Sequence, residues 1–108
     1  MANDAKQELV DFLERRAFRP ILETRPDDYD SDADRRRLAE VQRATRSEIH
    51  RYRSEYTSAR DVIDNYKDDL TSEPARKIDR ELDQLGLPTL RDVEPEFRRK
   101  VEELGFEY

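Results

Sequence analysis

Between Pro26 and Pro74 the chain contains neither proline nor glycine, the two residues that most often interrupt a helix. Glycine occurs only at Gly86 and Gly105. Throughout the chain, β-branched and aromatic residues never alternate with polar residues for long enough to indicate a half-buried strand. These patterns predict an all-α fold whose longest element is a single helix within the proline-free span.

The long helix is predicted to begin after an acidic loop, residues 24–31, whose sequence is TRPDDYDS. Ser31 suits the capping position, with Asp34 three residues later as in a capping box. Asp32 and Asp34 also suit the positive end of the helix dipole. The predicted helix runs over residues 32–70, about 39 residues and roughly 58 Å at a rise of 1.5 Å per residue.

Shorter helices are predicted on both sides of the long one. Apolar residues spaced three and four apart predict an N-terminal helix within residues 1–23, with Asn3 or Asp4 as its cap and a possible kink at Pro20. A helix is predicted over residues 74–85, with Pro74 in its first turn and Gly86 at its end. Short helices are also predicted within residues 89–104.

Residues 1–108 are therefore predicted to form one domain: a small helical bundle built on one long central helix, with the shorter N-terminal and C-terminal helices packed on it. Leucine, isoleucine, valine and phenylalanine make up 23 of the 108 residues. This share is barely above the roughly 20% below which disorder is expected. The core is thus expected to be thin, and burial between subunits would add to it.

The predicted long helix carries an apolar stripe, whose residues follow heptad spacing from Ile49 onward. Such a stripe either packs on helices of the same chain or forms a coiled-coil seam with another subunit, and the sequence leaves both arrangements open. The tyrosines in the stripe suit a narrow seam, because their rings can be buried while their hydroxyls reach a polar partner. The stripe consists of Leu38, Val41, Ile49, Tyr52, Tyr56, Ala59, Ile63, Tyr66 and Leu70.

Charge is distributed unevenly along the same helix, with a net charge of +5 over residues 35–53 and −3 over residues 55–69. Antiparallel pairing of two copies would place opposite charges side by side, so we predict a homodimer centred near Tyr52. The arginines are also candidate phosphate contacts, although the whole chain has a net charge of −6, which opposes nucleic-acid binding. These candidates are Arg35, Arg36, Arg37, Arg43, Arg46, Arg51 and Arg53.

No catalytic or metal-binding motif is complete in the sequence. His50 is the only histidine, cysteine is absent, and no serine lies in a recognisable nucleophile motif. Alternating carboxylates in the acidic loop resemble the start of a calcium-binding EF-hand loop, but Ala33 and Ala39 stand where that loop needs glycine and glutamate. These carboxylates are Asp28, Asp30, Asp32 and Asp34. We therefore expect no enzymatic activity, no cofactor and no metal.

The expected location is the cytoplasm, because the sequence shows neither a signal-peptide pattern nor an apolar run long enough to cross a membrane. The absence of cysteine is compatible with a reducing compartment. Together these features favour a non-enzymatic helical module for protein–protein interaction or assembly, with a homodimer or another protein as its partner. The alternative is a nucleic-acid-binding protein that uses the arginine-rich half of the long helix.

Overall fold

The structure, a computed structural model, describes residues 2–108, with side chains from Ala5 onward. Within this range it contains helices and no strand, which confirms the all-α prediction. The described residues form six α-helices in the order α1 (Ala2–Leu13), α2 (Arg19–Glu23), α3 (Asp32–His50), α4 (Ala59–Thr71), α5 (Glu73–Leu85) and α6 (Glu94–Glu103). The predicted caps Asn3 and Asp4 lie outside the described side chains. None of the described helices is long and apolar enough to cross a membrane.

The N-terminal helix continues past Pro20 by widening one turn. Residues Glu14–Phe18 form a π turn between α1 and α2, in which the backbone N–H of Arg19 donates to the carbonyl of Glu14. Pro20 has no N–H to donate and its ring crowds the preceding turn, so a locally wider helix accommodates it without a break. The chain then leaves the helix at Thr24 and passes through a short 3₁₀ turn, Pro26–Asp28.

The prediction of one continuous helix over residues 32–70 is wrong. α3 continues as a π turn, Arg51–Glu55, and the chain is then non-helical until α4 begins at Ala59. Ser58 is extended and its hydroxyl accepts a hydrogen bond from the backbone N–H of Asp61 at 3.1 Å. The carboxylate of Asp61 accepts from the N–H of Thr57 at 2.9 Å. These side-chain acceptors satisfy backbone groups at a new helix start, which offsets the helical bonds lost at the break.

Replacement of Ser58 by alanine is expected to lower the free energy of unfolding by about 1 kcal/mol, because the N–H of Asp61 loses its acceptor at the start of α4. Ser54→Ala is the matched control, since Ser54 is exposed inside the preceding π turn. Urea titrations of both variants measure the difference. Equal stabilities would show that the capping bond does not stabilise this helix start.

Two clusters of buried side chains hold the helices together. The larger one joins α1, α4 and α6, with Phe97 and Tyr66 fully buried at its centre. The smaller one joins α2, α3 and α5 and consists of Ile21, Leu38, Val41, Leu82 and Leu85. The hydroxyl of the buried Tyr66 still forms a hydrogen bond, because it donates to the carbonyl of Leu90 at 2.6 Å. The C-terminal third therefore folds back on the helices that precede it.

Two further features complete the fold. A bidentate ion pair joins the two π turns: Arg53 of the second turn donates to both carboxylate oxygens of Glu14, which is buried in the first. α5 ends at Gly86, which adopts a left-handed conformation with φ of 72° that glycine tolerates best. A 3₁₀ turn, Arg91–Val93, then leads directly into α6.

Candidate functional site

The predicted interaction stripe lies inside the protein. Ile49, Tyr56 and Leu70 are partly buried against the larger cluster. The other six residues are buried by helices of the same chain, and they are Leu38, Val41, Tyr52, Ala59, Ile63 and Tyr66. A dimer formed through this stripe would have to displace these intramolecular contacts. The homodimer itself stays a prediction, and these residues provide no free face for it.

Four of the seven candidate phosphate-binding arginines are engaged in ion pairs. Three of them pair with carboxylates one turn away in the same helical segment. The fourth, Arg53, pairs with Glu14, which lies far away in sequence. The local pairs are Arg35 with Asp32, Arg37 with Asp34, and Arg51 with Glu48. Arg36, Arg43 and Arg46 are exposed and have no ion pair among the described residues. Three of the seven candidate phosphate contacts therefore have guanidinium groups without a carboxylate partner among the described residues.

The carboxylates of the acidic loop are exposed or form local contacts, and His50 is exposed. Asp28 accepts a hydrogen bond from the backbone N–H of Arg25 at 3.1 Å. Asp32 and Asp34 pair with arginines one turn later in α3, and Asp30 is exposed. Among residues 2–108 no three metal-ligating side chains come close enough together to hold a metal ion. His50 is exposed at the end of α3, beside Arg43 and Arg46 in a shallow surface depression.

A cavity of about 290 Å³ lies where the two buried clusters approach each other. Its walls come from residues 17–21 of the N-terminal helix, the end of α3 with Arg51 of the following π turn, the C-terminal end of α4, α5, and Leu90. Phe18, Ile78 and Leu82 supply apolar wall surface. Ser47 and Pro74 also line the cavity and are exposed, so the cavity reaches the surface.

Three carboxylates line this otherwise apolar cavity: Glu48, Asp69 and Asp79. Glu48 pairs with Arg51 through one oxygen, while its other oxygen is buried without a hydrogen-bond partner. Asp69 accepts a hydrogen bond from the hydroxyl of Tyr52 at 2.9 Å. Burial raises the pKa of Asp69, and the Tyr52 hydrogen bond and Arg51 oppose this rise. The cavity therefore contains more negative charge than its own cation neutralises.

Asp79 is the most perturbed of these carboxylates. Burial raises its pKa from the ordinary value of 3.8 to about 6, although Arg91 opposes the change. Among the described residues no N–H or O–H group donates a hydrogen bond to it. Its charge is thus only partly compensated by the surrounding protein. The charged groups that act on it come from its own helix, α4 and the 3₁₀ turn, and they are Asp83, Asp69, Arg91 and Asp92. Glu48 and Arg51 line the same cavity.

Comparison with known proteins provides no family for this chain. No protein-family model matches it, and no match was found among curated proteins or solved structures. Roles of individual residues therefore cannot be transferred from a relative. The cavity and its carboxylates provide the basis for a functional proposal.

The cavity carboxylates were not among the sites predicted from the sequence, although two of them carry a recognisable signal. Asp79 follows Ala75 by four residues and precedes Leu82 by three, which places it on the apolar face of α5. Asp69 follows Tyr66 by three residues on the apolar face of α4. A carboxylate at such a position is buried at a cost unless something compensates its charge. That cost, rather than a motif, is the signal that could have identified this site.

Replacement of Asp79 by asparagine is expected to stabilise the protein at neutral pH. Because the folded state raises the pKa of Asp79, it holds the proton more tightly than the unfolded state, so this group lowers stability as the pH rises from about 4 through about 6. The gain should be on the order of 1 kcal/mol at pH 7.5 after allowing for solvent screening of a half-buried group, and it should vanish below about pH 4.

Thermal or urea unfolding of both proteins between pH 3.5 and 8 tests this expectation. Asp30→Asn removes an exposed carboxylate that does not act on Asp79, so it controls for the change in net charge. A variant less stable than the original protein at pH 7.5 would contradict the burial of an uncompensated charge at Asp79.

Proposed function

We propose that this protein is a non-enzymatic interaction module and that the cavity receives a side chain of a protein partner. The observation that carries the proposal is the combination of apolar walls and incompletely compensated carboxylates in one surface-connected cavity. Sites that bind organic groups are typically concave and mostly apolar, with a few polar groups that fix orientation. This combination favours recognition of a group that is apolar along its length and polar at its end.

The volume of the cavity favours a single side chain over a large ligand. At about 290 Å³ it lies at the lower end of small-molecule pockets, which typically range from roughly 300 to 1,000 Å³. A protein partner that anchors one residue in such a pocket gains most of its binding energy there, while surrounding contacts exclude water. The exposed rim residues Ser47 and Pro74 would lie under the rest of the partner.

The polar groups around the cavity favour binding over catalysis. Thr45 donates its hydroxyl proton to the carbonyl of Val41 at 2.7 Å, which is a structural bond within the helix. Neither Ser47 nor Ser72 forms a side-chain hydrogen bond with a basic group among the described residues, so an activated nucleophile of the usual kind is not assembled there. These surroundings support an interaction role for the cavity.

Nucleic-acid binding remains the alternative proposal from the sequence. The ion pairs of the arginines weaken its support, because a paired guanidinium must exchange its carboxylate for a phosphate. Titration with DNA and RNA at low and high salt distinguishes the two functions. Tight binding that falls steeply with salt would favour the nucleic-acid alternative.

Site-specific photo-crosslinking in the source cells tests the interaction proposal. A photoreactive residue at Ser47 on the rim should give a discrete protein adduct, whereas the same residue at exposed Ala39 should not. The Ser47 adduct should disappear when Ala75→Trp fills the cavity, provided that circular dichroism shows the variant to be folded. An adduct that survives Ala75→Trp, or the absence of any Ser47 adduct, would contradict the cavity as the docking site.

A further inference from the structure

We infer that the side chain received by the cavity is basic, so that the ammonium or guanidinium group of a lysine or arginine on the partner lies against Asp79 and Asp69. This inference rests on the proposed function and adds to it the chemical class of the group that is recognised. Charge complementarity is its main support, because three carboxylates and only one guanidinium line the cavity. The apolar walls are a second, independent support.

The carboxylates of the cavity have unused capacity to accept hydrogen bonds. Asp79 receives no donor from the described residues. The unpartnered oxygen of Glu48 is fully buried, so Asp79 and Asp69 supply the acceptors that a ligand can reach. Asp69 uses one oxygen for the hydroxyl of Tyr52. A guanidinium or ammonium group carries several N–H donors and no acceptor, so it matches a site with surplus acceptors. An anionic group would leave these oxygens unsatisfied, and a neutral donor would satisfy them without offsetting their charge.

The cations already present do not remove this surplus. Arg51 is paired with Glu48, and Arg91 donates to the backbone carbonyl of Leu70 at 3.0 Å. Arg91 does act on Asp79, yet the pKa of Asp79 remains raised to about 6 because burial dominates. An additional cation inside the cavity would therefore be stabilised by a charge that the protein itself leaves only partly compensated.

The geometry favours an organic cation over a metal ion. A metal ion needs several ligands converging on one point, and no three ligating side chains among the described residues do so. A basic side chain instead combines a charged head with a flexible apolar stem. Its head can lie near Asp79 while its methylene groups contact Phe18, Ile78 and Leu82. The apolar walls and the carboxylates are then both used by one ligand.

A pair of small probes isolates the contribution of charge. n-Butylguanidinium carries the head group of arginine, and n-butylurea has nearly the same shape without the charge. Both are titrated into the full chain at pH 7.5 while the methyl signals of Ile78 and Leu82 are followed by NMR. We expect saturable shifts with n-butylguanidinium and binding at least about tenfold weaker with n-butylurea, since a hydrogen-bonded charge is typically worth that much.

Asp79→Asn provides the matched variant, because it should weaken n-butylguanidinium binding about tenfold while leaving the protein more stable at the same pH. Loss of binding together with a gain in stability cannot be caused by unfolding. Asp30→Asn, which removes an exposed carboxylate outside the cavity and leaves the charged neighbours of Asp79 in place, should bind like the original protein. Binding should also weaken as the pH falls below about 6, where Asp79 takes up a proton.

The possible outcomes separate this inference from the proposed function. Equal affinity for the two probes, or no effect of Asp79→Asn, would overturn the preference for a basic group. An adduct at Ser47 that Ala75→Trp abolishes, combined with no probe binding, would overturn the inference alone. The absence of both the adduct and probe binding would overturn the inference and the docking site together.

Discussion

Ile63→Asp is expected to unfold the protein at neutral pH and room temperature, whereas Arg36→Asp should leave it folded. Ile63 is completely buried in α4 within the larger cluster, so the substitution removes apolar contacts and places a carboxylate where no partner is available. The expected loss is more than about 4 kcal/mol, a large fraction of the typical 5–15 kcal/mol of a folded domain. Even if neighbouring side chains shift so that water reaches the new carboxylate, the protein should remain strongly destabilised.

Arg36→Asp is the matched control because it introduces the same side chain at an exposed position of α3. Arg36 has no ion pair among the described residues, so its replacement should change the free energy of unfolding by only about 0.5 kcal/mol. Circular dichroism melts of both variants measure the contrast. A larger loss for Arg36→Asp than for Ile63→Asp would contradict the burial of Ile63.

Phe97→Ala is expected to cost about 3–5 kcal/mol, the usual range for truncating a fully buried aromatic residue. Phe97 is completely buried in α6, and its ring centre lies 4.1 Å from that of Tyr66 and 6.1 Å from that of Phe12. Truncation would leave a cavity between α1, α4 and α6 that these rings cannot fill. In the variant, α6 should therefore pack much more weakly against α1 and α4.

Urea titration gives the loss of stability as a lower unfolding midpoint. An unchanged slope would show that the variant exposes as much surface on unfolding as the original protein does. Phe106→Ala serves as the control, because Phe106 is only partly buried at the edge of the same cluster. It should lose clearly less stability than Phe97→Ala. Similar losses for the two variants would show that α6 does not contribute a central residue to the core.

The all-α class was predictable because it depends on features that are local in sequence. The start of α3 at Asp32 follows from Ser31, whose hydroxyl accepts from the N–H of Asp34 at 3.1 Å. The end of α5 follows from the conformational freedom of Gly86. The same kind of local signal was present but overlooked at Ser58, which precedes Asp61 by three residues just as Ser31 precedes Asp34.

The site could not be predicted in the same way because it depends on contacts between distant segments. Glu14 neutralises Arg53 although 39 residues separate them, which removes one arginine from the predicted basic surface. The cavity likewise combines residues from near the N-terminus, α3, α4 and α5. Sequence spacing shows which residues share a helix face, but it does not show which face meets which neighbour.

By itself, the sequence determined that this chain forms helices and which residues make each helix amphipathic, because capping, glycine conformation and apolar spacing act within a few residues. Only the tertiary structure decided that the chain's own helices cover the apolar stripe. It also decided that Asp69 and Asp79 share one cavity with Glu48. The physical reason is that packing and burial depend on which helix faces meet, and burial then determines how strongly a carboxylate is perturbed.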